Sequence, residues 1–142
     1  MKTIGIQIKS EEAILVVLVE DENGNITQDN DYTKFSIGEP DNPDHVKQFR
    51  DQINTALDAI TPDRVAILAR NANGKGRNAP SPISFKLEGI IQLYENIRVE
   101  TVWPQSINAF LRKNDAPAPS KHKYQTDALN LAYYLLKQNQ NG

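Results

Sequence analysis

The chain has 142 residues, 39% hydrophobic and 24% charged, with no cysteine and a formal net charge of −2. That fits one globular domain with a single core; it excludes disulfides and thiolate-held metals, and no apolar run approaches the roughly 20 residues that cross a bilayer. The small net charge hides an asymmetry: residues 1–63 carry 13 acidic and 5 basic side chains, residues 64–142 carry 5 and 11, so the halves stand at −8 and +6.

Lys2 to Ser10 alternates Thr3, Gly5, Gln7 and Lys9 with Ile4, Ile6 and Ile8, the period of a strand with one face better buried than the other. No signal-peptide core precedes it, so the expected location is cytoplasmic. Ala13 to Val19 is almost wholly apolar and β-branched, as in a strand buried on both faces. Asn23-Gly24 supplies a hairpin turn, and a third strand starts at Ile26 and resumes over Tyr32–Ile37, completing an antiparallel meander. Asn42 caps a helix with Pro43 in its first turn; Val46, Phe49, Ile53, Ala56, Leu57 and Ile60 form its apolar stripe.

Arg64 to Ala69 is a short apolar strand, parallel to one of the meander because a helix crosses over before it. Residues 70–82 form a polar loop. Ile83, Leu87, Ile90, Ile91 and Tyr94 mark a second helix, weakened by Gly89. Ile97 to Trp103 alternates as a last strand, and a short helix from Pro104 runs through Leu111. After an irregular Pro-rich stretch, Thr126 to Leu136 is a final helix. One domain therefore spans 1–137, with 138–142 expected to fray.

Strand order of this kind, a three-strand meander followed by βα units with helices packed on the sheet, resembles the RNase H-like mixed α/β fold. That resemblance implies a nuclease site in which carboxylates from the first strand, the fourth strand and the last helix hold two Mg²⁺ ions to activate water and stabilise the leaving oxygen. Gly5-Ile6-Gln7-Ile8-Lys9-Ser10 resembles the first strand of RuvC-type resolvases, but Gln7 stands where the resemblance implies aspartate. Arg64–Arg70 resembles the fourth strand, which would end in glutamate; Ala69 and Arg70 stand there. Gln125–Ala132 resembles the final helix: Asp127 matches its aspartate, and Tyr124 falls where an earlier one is implied. A nearly full-length likeness joins the chain to a family of short bacterial proteins in the same superfamily, through Gly-Ile-x-Ile-Lys, Gly74-Lys75-Gly76 and Phe85–Leu93; relatives tend to carry glutamate at the position of Gln7.

Alone, Gln7 reads as a polar strand residue, Asp127 as a helix N-terminal charge and Glu88 as a solvated or ion-paired side chain. Arg70, Lys75, Arg77 and Lys86 form a candidate phosphate clamp in and after the polar loop, although Gly74-Lys75-Gly76 lacks the Lys-Ser/Thr of a P-loop. Lys121 and Lys123 beside Tyr124 add charge and a stacking ring. His45 and His122 have no metal-ligand spacing, so no zinc site is expected. Neither is a serine or cysteine nucleophile.

The resulting expectation is a catalytically degenerate RNase H/RuvC-like binding module that takes nucleic acid or a protein and needs no cofactor. A second expectation is an immunity or antitoxin-like factor whose acidic first half meets a basic partner. A third is a Mg²⁺-dependent nuclease with displaced ligands, which requires Asp127, Glu88 and Glu11 to converge. The meander's edge also allows a homodimer, and no membrane role is expected.

Overall fold

A computed structural model describes residues 1–74, 76, 79–115 and 121–141, the last three by their backbone. The elements are β1 (Lys2–Lys9), β2 (Glu12–Glu20), β3 (Ile26–Asp29), β4 (Lys34–Ser36), α1 (Pro43–Ile60), β5 (Arg64–Leu68), α2 (Pro82–Gln92), β6 (Val99–Val102), α3 (Pro104–Leu111) and α4 (Thr126–Asn141), with a 3-10 turn at Lys123–Gln125 before α4. The sheet runs β3-β2-β1-β5-β6, with β4 also on β2. β1 and β2 are antiparallel; β1, β5 and β6 are parallel. This is the mixed α/β, RNase H-like topology implied by the element order.

The third strand of the meander is in two pieces. β3 pairs Asp29 with Val17 and β4 pairs Lys34 with Ile14. The outer strand carries more residues between those pairs than β2 does, and the excess bulges out. Asp29 Oδ1 accepts the Asp31 amide at 3.0 Å within that bulge. At the β2–β3 hairpin, Gly24 takes φ 82°, and Asp21 Oδ1 accepts the amides of Asn23 and Asn25, both at 2.9 Å. These bonds, that from Asn25 foremost, lower the Asp21 pKa.

Asn42 Oδ1 accepts the Asp44 amide at 2.9 Å to cap α1. The helix ends where Thr61 turns to φ 49° ahead of Pro62. Ser81 caps α2 through the Ser84 amide. The backbone of α4 is helical to Asn141, past Gln138, where the sequence suggests fraying; no proline or glycine interrupts it there.

Helices cover both faces of the sheet. Ile4, Ile6, Ile8, Leu15, Val17 and Ile67 pack with Phe49, Ile53 and Leu57 of α1 and Leu87 and Ile91 of α2. On the other face, Val16 and Leu18 meet Ala128, Leu129 and Ala132 of α4, while Ala66 and Val102 meet Ile107 of α3 and Leu131 and Leu135 of α4. The alternation of β1 therefore does not mark one weakly covered face. Thr3 and Gly5 are as buried as the isoleucines opposite them, and they are small because α4 lies hard against them. No helix among the described residues is long and apolar enough to cross a membrane.

Candidate functional site

The site is set by how closely α4 approaches β1. A Cβ placed on Gly5 would lie 2.2 Å from the Ala128 carbonyl oxygen and 2.8 Å from the Ala132 nitrogen; only glycine allows that distance. One pleat period earlier, Thr3 Oγ1 donates to the Ala132 carbonyl at 2.8 Å in a buried setting. One period later, the Gln7 amide Nε2 donates to Asp127 Oδ2 at 3.0 Å. Thr3, Gly5 and Gln7 share a strand face, and Asp127, Ala128 and Ala132 follow the helix turns above it, so the small residues deliver Asp127 onto Gln7.

The start of α4 is held independently. Gln125, 0% exposed, donates from Nε2 to the Leu15 carbonyl at 2.9 Å. Its Oε1 accepts the His122 amide at 3.2 Å and Gln28 Nε2 at 3.4 Å. This buried amide ties the turn before α4 to β2. Tyr124 is thereby turned outward, 40% exposed; its ring stacks on His122 with centroids 5.1 Å apart and planes 7° from parallel. Lys34 Nζ lies 5.2 Å from the Tyr124 centroid, within cation–π range. Lys121 and Lys123 are exposed in the same segment.

A cleft of about 560 Å³ opens beside Gln7. Its walls include Lys9 and Ser10 after Gln7, Ala69 and Arg70 at the end of β5, Ser81 and Ser84 at the start of α2, and Trp103 at the start of α3. Ala69 extends the ladder by donating its amide to the Val102 carbonyl at 2.8 Å. Trp103 is 51% exposed. The sequence period assigns it to the last strand, but β6 ends at Val102 and Trp103 begins α3. Its exposure in a cleft wall was not foreseen; the signal available was a lone tryptophan directly before a helix-starting proline.

Of the basic residues singled out from the sequence, the described Arg70 and Lys86 engage different partners. Arg70 folds back on α2, with Nη2 3.4 Å from both the Ser84 carbonyl and Glu88 Oε1 and its guanidinium 4.3 Å from the Phe85 ring centroid. Lys86 lies on another face of the helix and donates to the Pro40 carbonyl at 2.6 Å. Lys75 and Arg77 lie outside the described residues.

The donor set does not fit the two Mg²⁺ ions of the nuclease arrangement. Of the four matched positions, only Asp127 carries a carboxylate, and one of its oxygens is engaged by an amide N–H. Turning the Gln7 amide over would set its oxygen against that carboxylate oxygen, which electrostatics disfavours. Among the described residues, which include every Asp, Glu and His of the chain, no group of three or more could hold a metal ion. The convergence of Asp127, Glu88 and Glu11 required by displaced ligands is therefore not present: Glu88 is spent on Arg70, and Glu11 sits at the exposed β1–β2 turn.

Residues 1–135 match the family model described as Protein of unknown function (DUF3010). The chain belongs to this family. No curated protein matches this DUF3010 member. Among solved structures it is similar to Thermus thermophilus RuvC, with 13% identity, a TM-score of 0.71 and 97% of each chain covered. It is also similar to T. thermophilus RuvC in complex with a Holliday junction substrate, with 17% identity, a TM-score of 0.68 and 96% of each chain covered. At these identities the likeness establishes the fold of this DUF3010 member.

Proposed function

We propose that this protein is a catalytically degenerate RuvC-like module that binds single-stranded nucleic acid across the face formed by the β1–α4 junction. The observation that carries the loss of cutting is the Gln7–Asp127 hydrogen bond. It joins, amide to carboxylate, two groups that the fold elsewhere uses to share a metal. Binding is supported by the exposed Tyr124–His122 stack with Lys34 beside it, by Lys121 and Lys123, and by Trp103 on the other side of Gln7. Rings and ammonium groups flanking a groove are the equipment for stacking bases and neutralising phosphates. The complexes of Thermus RuvC with its junction add the precedent that this fold can present a nucleic-acid surface.

The test is fluorescence anisotropy with labelled single-stranded and duplex DNA and RNA over a salt series. Single strands bind at low salt and are released as salt rises; Tyr124→Ala weakens them by about 1–3 kcal/mol, the worth of one stacked base. No binding at the lowest salt overturns the nucleic-acid reading and turns attention to a protein partner. Cleavage in Mg²⁺ or Mn²⁺ that disappears in Asp127→Asn overturns the degeneracy.

A further inference from the structure

The cleft beside Gln7 contains a charged group whose bonding is incomplete. Arg70 lines its wall, with a side chain only 13% exposed. Its Nε and Nη1 are buried and have no hydrogen-bond partner among the described residues. Its Nη2 contacts, both 3.4 Å, are long for charge-assisted bonds. A buried donor left unpaired is unfavourable, so the guanidinium gains from any acceptor brought within reach. A rotamer change of Arg70 toward the cleft surrenders only those two long contacts and the stacking on Phe85.

The cleft also presents an apolar plate and a second cation. Trp103 is half-exposed in the wall, and Lys9 is exposed at the rim with no ion-pair or hydrogen-bond partner among the described residues. The volume of about 560 Å³ falls in the ~300–1,000 Å³ range of small-molecule sites and is far too small for a duplex. A planar, π-rich group and an anion, linked and of small-molecule size, are what these walls accommodate together.

We propose that this cleft holds one nucleoside monophosphate unit, its phosphate on the Arg70 guanidinium and its base against the Trp103 ring. The unit is either a free nucleotide or the phosphorylated end of a strand. The strand-end version rests on the nucleic-acid reading above; the free-nucleotide version stands without it.

Trp103 is the only tryptophan in the chain, so its fluorescence reports the cleft directly. The full chain is titrated with uridine and adenosine 5′-monophosphate, with 5′-phosphorylated and 5′-hydroxyl oligonucleotides, and with inorganic phosphate. The expected result is saturable quenching by the nucleotides, competition without quenching by inorganic phosphate, and affinity at least about tenfold lower in Arg70→Lys, which keeps the charge but loses the fork. Because Arg70 is mostly buried, Trp103→Leu at its exposed position provides a second variant; calorimetry is expected to show nucleotide affinity falling at least about fivefold with phosphate affinity unchanged. Tighter binding of the 5′-phosphorylated strand than of the mononucleotide assigns the strand end, and the reverse order assigns the free nucleotide. Strands that bind by anisotropy while Trp103 fluorescence stays constant with strands and mononucleotides alike overturn the subsite and leave the nucleic-acid reading standing. Nucleotide quenching that depends on Arg70, with no strand bound, does the opposite. No quenching by any nucleotide or strand up to millimolar concentration overturns the proposal.

Discussion

Gln7 and Asp127 differ from a carboxylate pair by the exchange of one amide group for one oxygen, which makes the local electrostatics easy to invert. In Gln7→Glu the 3.0 Å donor–acceptor contact becomes an approach of two anions, worth about 1–2 kcal/mol of destabilisation at a partly solvated site. Millimolar Mg²⁺ is expected to raise the melting temperature of this variant and leave that of the wild type unchanged, a difference read directly from thermal melts with and without the ion. Gly5 is the other decisive residue. Gly5→Ala drives a methyl group into the Ala128 carbonyl, and urea denaturation is expected to register a loss of about 3 kcal/mol, the upper part of the range for overpacking. The partnership of Gln7 with Asp127 was legible in the sequence only through the RuvC resemblance, since 120 positions separate them and no local period connects a strand residue to a distant helix.

At the scale of elements, α1 was written clearly in the sequence because its cap is local: Asn42-Pro43 places a side-chain acceptor and a proline where the helix begins. α2 was legible through its apolar spacing, while its Ser81 cap and Pro82 start lie in what the sequence reads as the end of a polar loop. The interruption of the third strand was legible, as a strand that starts at Ile26 and resumes at Tyr32; the burial of Thr3 and the exposure of Trp103 were not. Each depends on what packs alongside, which alternation does not encode. Gly89 lies inside α2, yet a Cβ there would meet nothing within 4 Å. Gly89→Ala should therefore stabilise the protein by up to about 1 kcal/mol, seen as a rise of about 3 °C in melting temperature. The junction of α1 with the segment after α2 has a pH signature. Tyr94 donates its hydroxyl to Asp58 Oδ1 at 2.5 Å, and burial foremost, with that bond, raises its pKa. The neutral phenol is thus favoured in the folded state. Its contribution is complete below the ordinary tyrosine range near ~10 and is lost as pH climbs through the raised value. Denaturant midpoints measured from pH 8 to 11 should fall more steeply for wild type than for Tyr94→Phe.

For the whole molecule, ion pairs form both within the basic half of the sequence and between the two halves. Arg64 of the basic half is locked to Glu100 of the same half through contacts of 2.6 and 2.9 Å, and Lys137 of α4 reaches back to Glu20 on β2 at 3.1 Å. The Lys137–Glu20 pair takes one charge from the positive excess, while the Arg64–Glu100 pair lies within the basic half and leaves that excess unchanged. Anisotropy should give a slope of log affinity against log salt of about −0.7 for each phosphate neutralised on a single strand.

The close seat of α4 on β1 also orders events in time. β1 leaves the ribosome well ahead of the helix that covers its Thr3–Gly5 face, which is made only after position 126. Until then the centre of the sheet has one bare side, however complete the α1–α2 side has become. A nascent chain stalled before residue 126 should therefore remain open to protease within β1 and β2, and one stalled far enough beyond residue 136 for α4 to emerge should close as a unit.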